Sequence, residues 1–168
     1  ARNFLSYRRS GINRLSLGVQ ALNDRDLKRL GRLHDTKEAK NALSTAIDIF
    51  DRVSFDLIYG RQNQKLSEWQ KELEKAVSFP TSHISLYQLT IEAETRFGKL
   101  FEKNKLYGLP NDNLSADFYQ ITQEICDDAG KPSYEISNHS IKGQECRHNL
   151  NYWKSGCFWG SDQVLMED

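Results

Sequence analysis

Two stretches of this chain alternate their residues with a period of two, and each leads into stretches whose apolar residues recur every three or four. That switching of period constrains the fold more than any other feature. In residues 13–20, Leu15, Leu17 and Val19 alternate with Ser16, Gly18 and Gln20. In residues 53–60, Val53, Phe55, Leu57 and Tyr59 alternate with Ser54, Asp56, Ile58 and Gly60. Residues 83–90 form the third strand-like stretch. Between the first two lie a short helix over 24–30 and a longer one over 36–50. The longer helix places Ala39, Ala42, Leu43, Ala46, Ile47 and Phe50 on one face. Asp35, with Glu38 three residues on, supplies its capping box. Leu66, Trp69, Leu73, Ala76 and Val77 mark the inner face of a helix over 66–79, which Pro80 ends. Strand, helix, strand, helix, strand at intervals of roughly 30 to 40 residues reads as βαβ units on a parallel sheet.

The pattern then changes. A helix over 95–104 carries Phe97, Leu100 and Phe101, and residues 108–111 form a loop. A longer helix over 114–129 has Leu114, Phe118, Ile121 and Ile125 at helical spacing and is closed by Gly130. One more strand is expected over 134–141 and a short helix over 148–153. The expected class is therefore α/β: three parallel strands with helices, followed by an α+β extension.

The length, 168 residues, suits one domain or a piece of a larger one. Lys plus Arg and Asp plus Glu each number 23, so the net charge is zero, which argues against a generic nucleic-acid binder. Aromatic residues make up 11%, enough for a core. No apolar run approaches the ~18 residues of a membrane span. The N-terminus lacks a signal-peptide layout and an initiator Met. The three cysteines, Cys126, Cys146 and Cys157, are odd in number and widely spaced. They read as free thiols in a reducing compartment, which places the chain in the cytoplasm. No pair sits close enough for an iron–sulfur motif or a paired-cysteine zinc knuckle.

Two groups of residues carry candidate chemistry. In barrel-like α/β folds the chemistry sits at the C-terminal ends of the strands. Gln20, Asp56 and Gln88 stand near those ends, on faces suited to a polar ligand above the sheet. The plainer reading is hydrogen-bonded polar residues at strand ends, although a carboxylate inside a strand is costly unless paired. The second group is Cys146-Arg147-His148-Asn149-Leu150-Asn151-Tyr152-Trp153, which packs an imidazole, amides and two large aromatics into a turn or two. Imidazole ligates iron, and aromatic rings stack on a macrocycle. The plainer reading is a helix start with buried aromatics. A zinc site from Cys146, His148, His139 and Cys157 lacks any standard ligand spacing. His34 and His83 read as structural.

These residues also carry a resemblance. Gly11-Ile12-Asn13-Arg14-Leu15-Ser16-Leu17-Gly18-Val19-Gln20, followed by Leu30-Gly31-Arg32-Leu33-His34, resembles the fourth barrel strand of the coproporphyrinogen-dehydrogenase-like radical S-adenosylmethionine (SAM) family. Asp56-Leu57-Ile58-Tyr59-Gly60 resembles the next strand, and residues 83–92 resemble the sixth. Tyr134-Glu135-Ile136-Ser137-Asn138 and the stretch from Cys146 to Trp153 resemble one branch, the haem chaperone HemW. The resemblance covers about residues 1–156. It implies the C-terminal part of a partial (β/α)6 barrel over 1–92, a C-terminal extension over 93–156 and a divergent tail over 157–168.

Family members bind a [4Fe–4S] cluster and S-adenosylmethionine. By resemblance, Gln20, Arg32 and Asp56 occupy S-adenosylmethionine-contacting positions, with Ile58 and Thr90 nearby. A sulfonium bearing an amino-acid moiety and a ribose suits a carboxylate, an amide and a guanidinium. In the chaperone branch the motif with His148, Asn149, Tyr152 and Trp153 is associated with haem, with His148 a candidate ligand to the iron, and haem is delivered to respiratory proteins. The catalytic branch instead decarboxylates coproporphyrinogen III oxidatively.

The chain departs from the family in three places. The cluster motif Cys-x-x-x-Cys-x-x-Cys is absent, so no radical chemistry is expected of this chain alone. Arg61-Gln62-Asn63-Gln64 replaces the usual Leu-Pro-Gly-Gln after Gly60, which is expected to alter a loop at the ligand face. The glycine-rich stretch after Gly156 is reduced to a hint. The expectation is a fragment of a haem chaperone whose first strand has an open edge. The alternatives are a coproporphyrinogen III oxidase and a non-functional truncated product.

Overall fold

The computed structural model describes residues 3–156. The tail over 157–168, with Cys157, lies outside the described residues. The elements run α1 (Phe4–Arg9), β1 (Arg14–Gln20), α2 (Asp24–Arg29), α3 (Thr36–Ile49), β2 (Arg52–Tyr59), α4 (Leu66–Val77), β3 (His83–Gln88), α5 (Arg96–Glu102), α6 (Asp112–Asp128), β4 (Asn138–Ser140) and α7 (Arg147–Trp153). The strands form one sheet in the order β1-β2-β3-β4. The first two pairings are parallel and β3 pairs with β4 antiparallel. The α/β expectation with three parallel strands therefore matches the fold.

The alternation seen in the sequence becomes two unlike faces. Val53, Phe55 and Leu57 of β2, with Ile84 and Leu86 of β3, are buried in one apolar cluster with Leu43 and Ala46 of α3, Trp69 and Leu73 of α4 and Phe118 of α6. Tyr59 stacks on Trp69 with ring centroids 5.2 Å apart. The buried Trp69 indole donates to Thr122 Oγ1 at 2.8 Å, which satisfies the one polar atom this ring brings into the core. The predicted capping box of α3 forms, with Asp35 accepting from the Glu38 backbone and Glu38 from the Asp35 backbone.

One expectation is corrected, and two features go beyond the sequence reading. Helix α1 has no counterpart in the sequence reading. Phe4 is its one buried residue, set edge-on to Phe50 at 6.3 Å, too little apolar patterning to reveal a helix. The strand expected over 134–141 shrinks to Asn138–Ser140, because the backbone turns back on itself: Tyr134 N donates to the Asn138 carbonyl at 3.1 Å and Ser140 N to the Pro132 carbonyl at 3.1 Å. In the divergent loop after Gly60, Arg61 turns inward. It is 3% exposed and forms ion pairs with Asp26 of α2 and Glu72 of α4 while donating to the Ile58 carbonyl at 3.0 Å. Glu72 also accepts from the Leu22 backbone. Removing one member would leave a buried charge uncompensated.

Candidate functional site

The face of the sheet turned away from the apolar cluster is polar over most of its length, with Ile58 and Tyr87 toward its C-terminal end. Arg14 and Ser16 of β1, Arg52, Ser54 and Asp56 of β2, His83 and Ser85 of β3 and Asn138 of β4 share it by alternation and register. Ser16 and Ser54 hydroxyls meet at 2.7 Å, and Ser16 donates to Asp56 Oδ1 at 3.1 Å. Burial pushes the Asp56 carboxyl above its ordinary range, opposed by hydrogen bonds from Ser16 and Ser85 and by the charge of Arg14.

At the C-terminal end of this face, β1 is distorted. Leu17 pairs with Phe55 and Gln20 with Leu57, so β1 advances three residues while β2 advances two. The bulge leaves Gln20 at φ 70°, a left-handed conformation uncommon for a residue with a Cβ. The Val19 carbonyl, turned out of the ladder, accepts from the Ala21 backbone at 2.9 Å and lies 3.2 Å from His34 Nε2. The loop that His34 anchors also carries Arg32, whose Nη2 donates to Gln20 Oε1 at 3.3 Å. The structure thus brings Gln20 and Arg32 into contact. Gly18 makes room for this arrangement, since a Cβ there would stand 2.8 Å from Gln20 Nε2. Thr90 lies exposed just beyond β3, its hydroxyl donating to the Gln88 carbonyl at 3.3 Å; Gln88 itself is exposed. Ile58 is half-buried on the same side as Asp56.

At the N-terminal end the face is covered by the extension. The Tyr134 hydroxyl lies 2.7 Å from His83 Nε2 and accepts from the Cys146 backbone at 3.3 Å and from Asn149 Nδ2 at 3.1 Å. With both lone pairs taken, its proton goes to His83, which makes Nε2 the unprotonated ring nitrogen. Burial, then the charges of Arg14, His139 and Arg52, pushes the His83 pKa down to about 3, in keeping with a neutral ring. Arg52 Nη2 donates to the carbonyls of Gln144 and Glu145, each at 3.1 Å, and so ties β2 to the residues just before α7. Glu135 accepts from the Ser137 backbone, from Asn138 and from the Trp153 indole, the last at 3.2 Å.

These contacts divide the motif on α7. Cys146 and Asn149 are held down by Tyr134. His148 is exposed, and Tyr152 and Trp153 are 63% and 52% exposed, with ring planes near perpendicular and centroids 6.3 Å apart. The aromatics expected to be buried under the plainer reading are at the surface. His139, a member of the alternative zinc set, is wholly buried while His148 is exposed. Sequence reasoning read His83 as structural, which its buried link to Tyr134 fits, but missed Arg52 and the anchoring roles of Tyr134 and Glu135. The last two lie in a stretch already singled out by resemblance; nothing in the sequence pointed to Arg52.

The chain is 38% identical over 161 residues to the heme chaperone HemW of Escherichia coli strain K12, covering 95% of this chain and 41% of that protein. It is 43% identical over 157 residues to the mitochondrial radical S-adenosyl methionine domain-containing protein 1 of Dictyostelium discoideum, covering 89% of this chain and 35% of that protein. The chain is similar in sequence to HemW-like radical SAM proteins. It spans about two-fifths of the length of these HemW-like relatives. No protein-family model matches it. Among solved structures, the coproporphyrinogen III oxidase HemN of Escherichia coli, a radical SAM enzyme, superposes with a TM-score of 0.70 at 22% identity, covering 92% of this chain and 35% of that one. An Elp3 from Methanocaldococcus infernus superposes with a TM-score of 0.65 at 16% identity, covering 74% and 30%. At such identities the likeness shows a shared fold, which the HemW-like sequence adopts. Among the described residues, no helix is long and apolar enough to cross a membrane.

Proposed function

We propose that this chain carries the haem-binding face of a haem chaperone, together with part of an S-adenosylmethionine-binding face, at opposite ends of one polar sheet surface. The observation that carries the reading is the division of α7. Its Cys146 backbone and Asn149 are pinned to Tyr134, while His148, Tyr152 and Trp153 are exposed. An exposed imidazole beside two exposed rings fits a planar macrocycle whose iron takes an axial ligand. In this reading His148 ligates the haem iron, Tyr152 and Trp153 contact the ring, and Asn149 keeps α7 in place. Respiratory haem proteins are the acceptors that the chaperone reading implies.

At the other end, the amide of Gln20, the guanidinium of Arg32 and the carboxyl of Asp56 hold S-adenosylmethionine, with Ile58 and Thr90 beside them. The strained Gln20 and its contact with Arg32 support that assignment. In the full-length family a [4Fe–4S] cluster supplies the electron that cleaves S-adenosylmethionine. This chain has no Cys-x-x-x-Cys-x-x-Cys stretch, so its own residues bind and orient only. Cys126 and Cys146 are unbridged, which suits a reducing compartment such as the cytoplasm.

Titration with haem, followed by visible absorption, tests the chaperone reading. The expected result is a saturable Soret shift that disappears in His148→Ala. An identical titration in parent and variant overturns the assignment of His148.

A further inference from the structure

We propose that Arg14 and Arg52 form a carboxylate-binding pair beneath α7, placed to take the propionate groups of haem. The inference rests on the haem reading above and extends it to the ionic edge of the ligand.

Arg14 and Arg52 stand opposite each other in register on adjacent parallel strands, both half-buried on the polar face. Neighbouring strands lie roughly 5 Å apart, so two guanidinium stems emerge side by side. Like charges this close, partly withdrawn from water, repel unless an anion stands with them. Six ion pairs form among the described residues, and neither arginine belongs to one. Arg52 spends Nη2 on two backbone carbonyls, and its Nε is buried without a partner. The neighbouring His83 is 2% exposed, and its Nδ1, which carries the ring proton in the tautomer derived above, is also buried without a partner. Two cations and two unsatisfied donors on one patch of sheet call for an anion with several acceptor lone pairs.

The surrounding acids do not fill that role. Asp56, two rows further along β2, accepts from Ser16, and burial raises its pKa in spite of the charge of Arg14. The Glu145 carboxylate accepts from the Gly143 backbone, which holds its pKa low, with Arg52 a lesser influence. Glu135 is committed to Ser137, Asn138 and Trp153.

Position selects the ligand class. The carbonyls gripped by Arg52 belong to the two residues before Cys146, the N-cap of α7, and His148 follows two residues later. Haem carries two carboxylates on one edge. A macrocycle ligated by His148 needs cations at that edge, and a planar guanidinium meets a carboxylate through two hydrogen bonds. Arg147 is a third cation in the neighbourhood. It is exposed on α7, where solvent and salt weaken its pull.

The test compares haem with haem dimethyl ester, whose propionates are esterified, in the parent chain and in Arg14→Gln, Arg52→Gln, Arg147→Gln and His148→Ala. Arg14→Gln and Arg52→Gln should each weaken haem binding roughly tenfold or more and leave the ester unaffected; Arg147→Gln should change haem binding less than about threefold. Equal losses for acid and ester overturn the pair, as does an Arg147→Gln effect as large as the other two. Arg52 also holds backbone carbonyls, so circular dichroism checks its fold, and Arg14→Gln decides if Arg52→Gln unfolds.

Loss of the Soret shift in His148→Ala with unchanged affinity in both arginine variants leaves the haem reading standing and removes this one. The reverse pattern is no effect of His148→Ala but weaker quenching of iron-free protoporphyrin IX fluorescence by the arginine variants. It keeps the carboxylate pair and removes the iron ligand. A parent chain that takes up no porphyrin overturns both.

Discussion

The two faces of this sheet are made by the same strands and do opposite things. Phe55 and Asp56 are neighbours in β2, yet Phe55 is wholly buried among Ile84, Trp69 and their neighbours, while Asp56 carries a carboxyl among serines, where burial disfavours its charge. One face repays the cost of ordering the chain by removing apolar surface from water. The other collects groups that are expensive to bury: a bulged glutamine at positive φ, two half-buried arginines outside the ion pairs of the described residues and a neutral histidine. Natural folds place such costs where they bind something, and support them from elsewhere in the core.

Truncation should separate the faces most strongly. Phe55→Ala removes a ring that packs edge-on to Phe79 at 5.7 Å and is 0% exposed, and should cost about 3–5 kcal/mol in urea denaturation. Ser16→Ala on the polar face should cost under about 1.5 kcal/mol. Comparable losses at both positions would mean that the polar face is also a structural core.

The division between faces also explains what the sequence made legible. Period-two alternation exposes β1 and β2 because one face of each is apolar, and the helical faces of α3, α4 and α6 follow from Leu43, Trp69 and Phe118 at regular spacing. Gln20 and Asp56 stand out as polar residues at strand ends. Nothing in the local pattern announces the bulge at Gln20, because it arises from a mismatch in pairing between β1 and β2. The inward course of Arg61 was not legible for a related reason: its partners Asp26 and Glu72 lie on two helices that only the fold brings together. His83 begins a strand, where a histidine is commonly structural, and its link to α7 runs through Tyr134, 51 positions later.

Acid should distinguish two groups within the polar face, by an amount smaller than the Phe55 truncation. His83 has its pKa pushed down to about 3 against an ordinary 6.5. The unfolded chain therefore takes a proton below pH 6.5 that the folded chain refuses, and stability is lost as pH falls from 6.5 toward 3. Asp56 has the opposite sign: its raised pKa penalises the fold when the carboxyl is charged, and the penalty is relieved as pH falls through that pKa. His83→Gln keeps an acceptor for Tyr134 and removes the titration. Between pH 7 and 4.5 the parent should lose on the order of 2 kcal/mol more than this variant. Asp56→Asn should be at least as stable as the parent at pH 7. Parallel stability profiles for parent and His83→Gln would show that His83 titrates normally in the folded chain.

The smallest effect on the fold, and the sharpest on the comparison, is expected at Gly18. A Cβ there would meet Gln20 Nε2 at 2.8 Å, and the other atom within reach, Cδ of the same side chain at 3.8 Å, also belongs to Gln20. Gly18 is in a strand, where exchange for alanine reduces the entropy lost on folding by roughly 0.5–1 kcal/mol. Gly18→Ala should therefore leave thermal stability unchanged or slightly raised while displacing the carboxamide from its contact with Arg32. Calorimetric titration with S-adenosylmethionine should show binding weakened as much as in Gln20→Ala, with haem binding at the far end of the face untouched. Unchanged S-adenosylmethionine affinity in Gly18→Ala would mean that the bulge at Gln20 positions nothing for that ligand. A loss of haem binding in the same variant would mean that the two ends of the polar face act as one site.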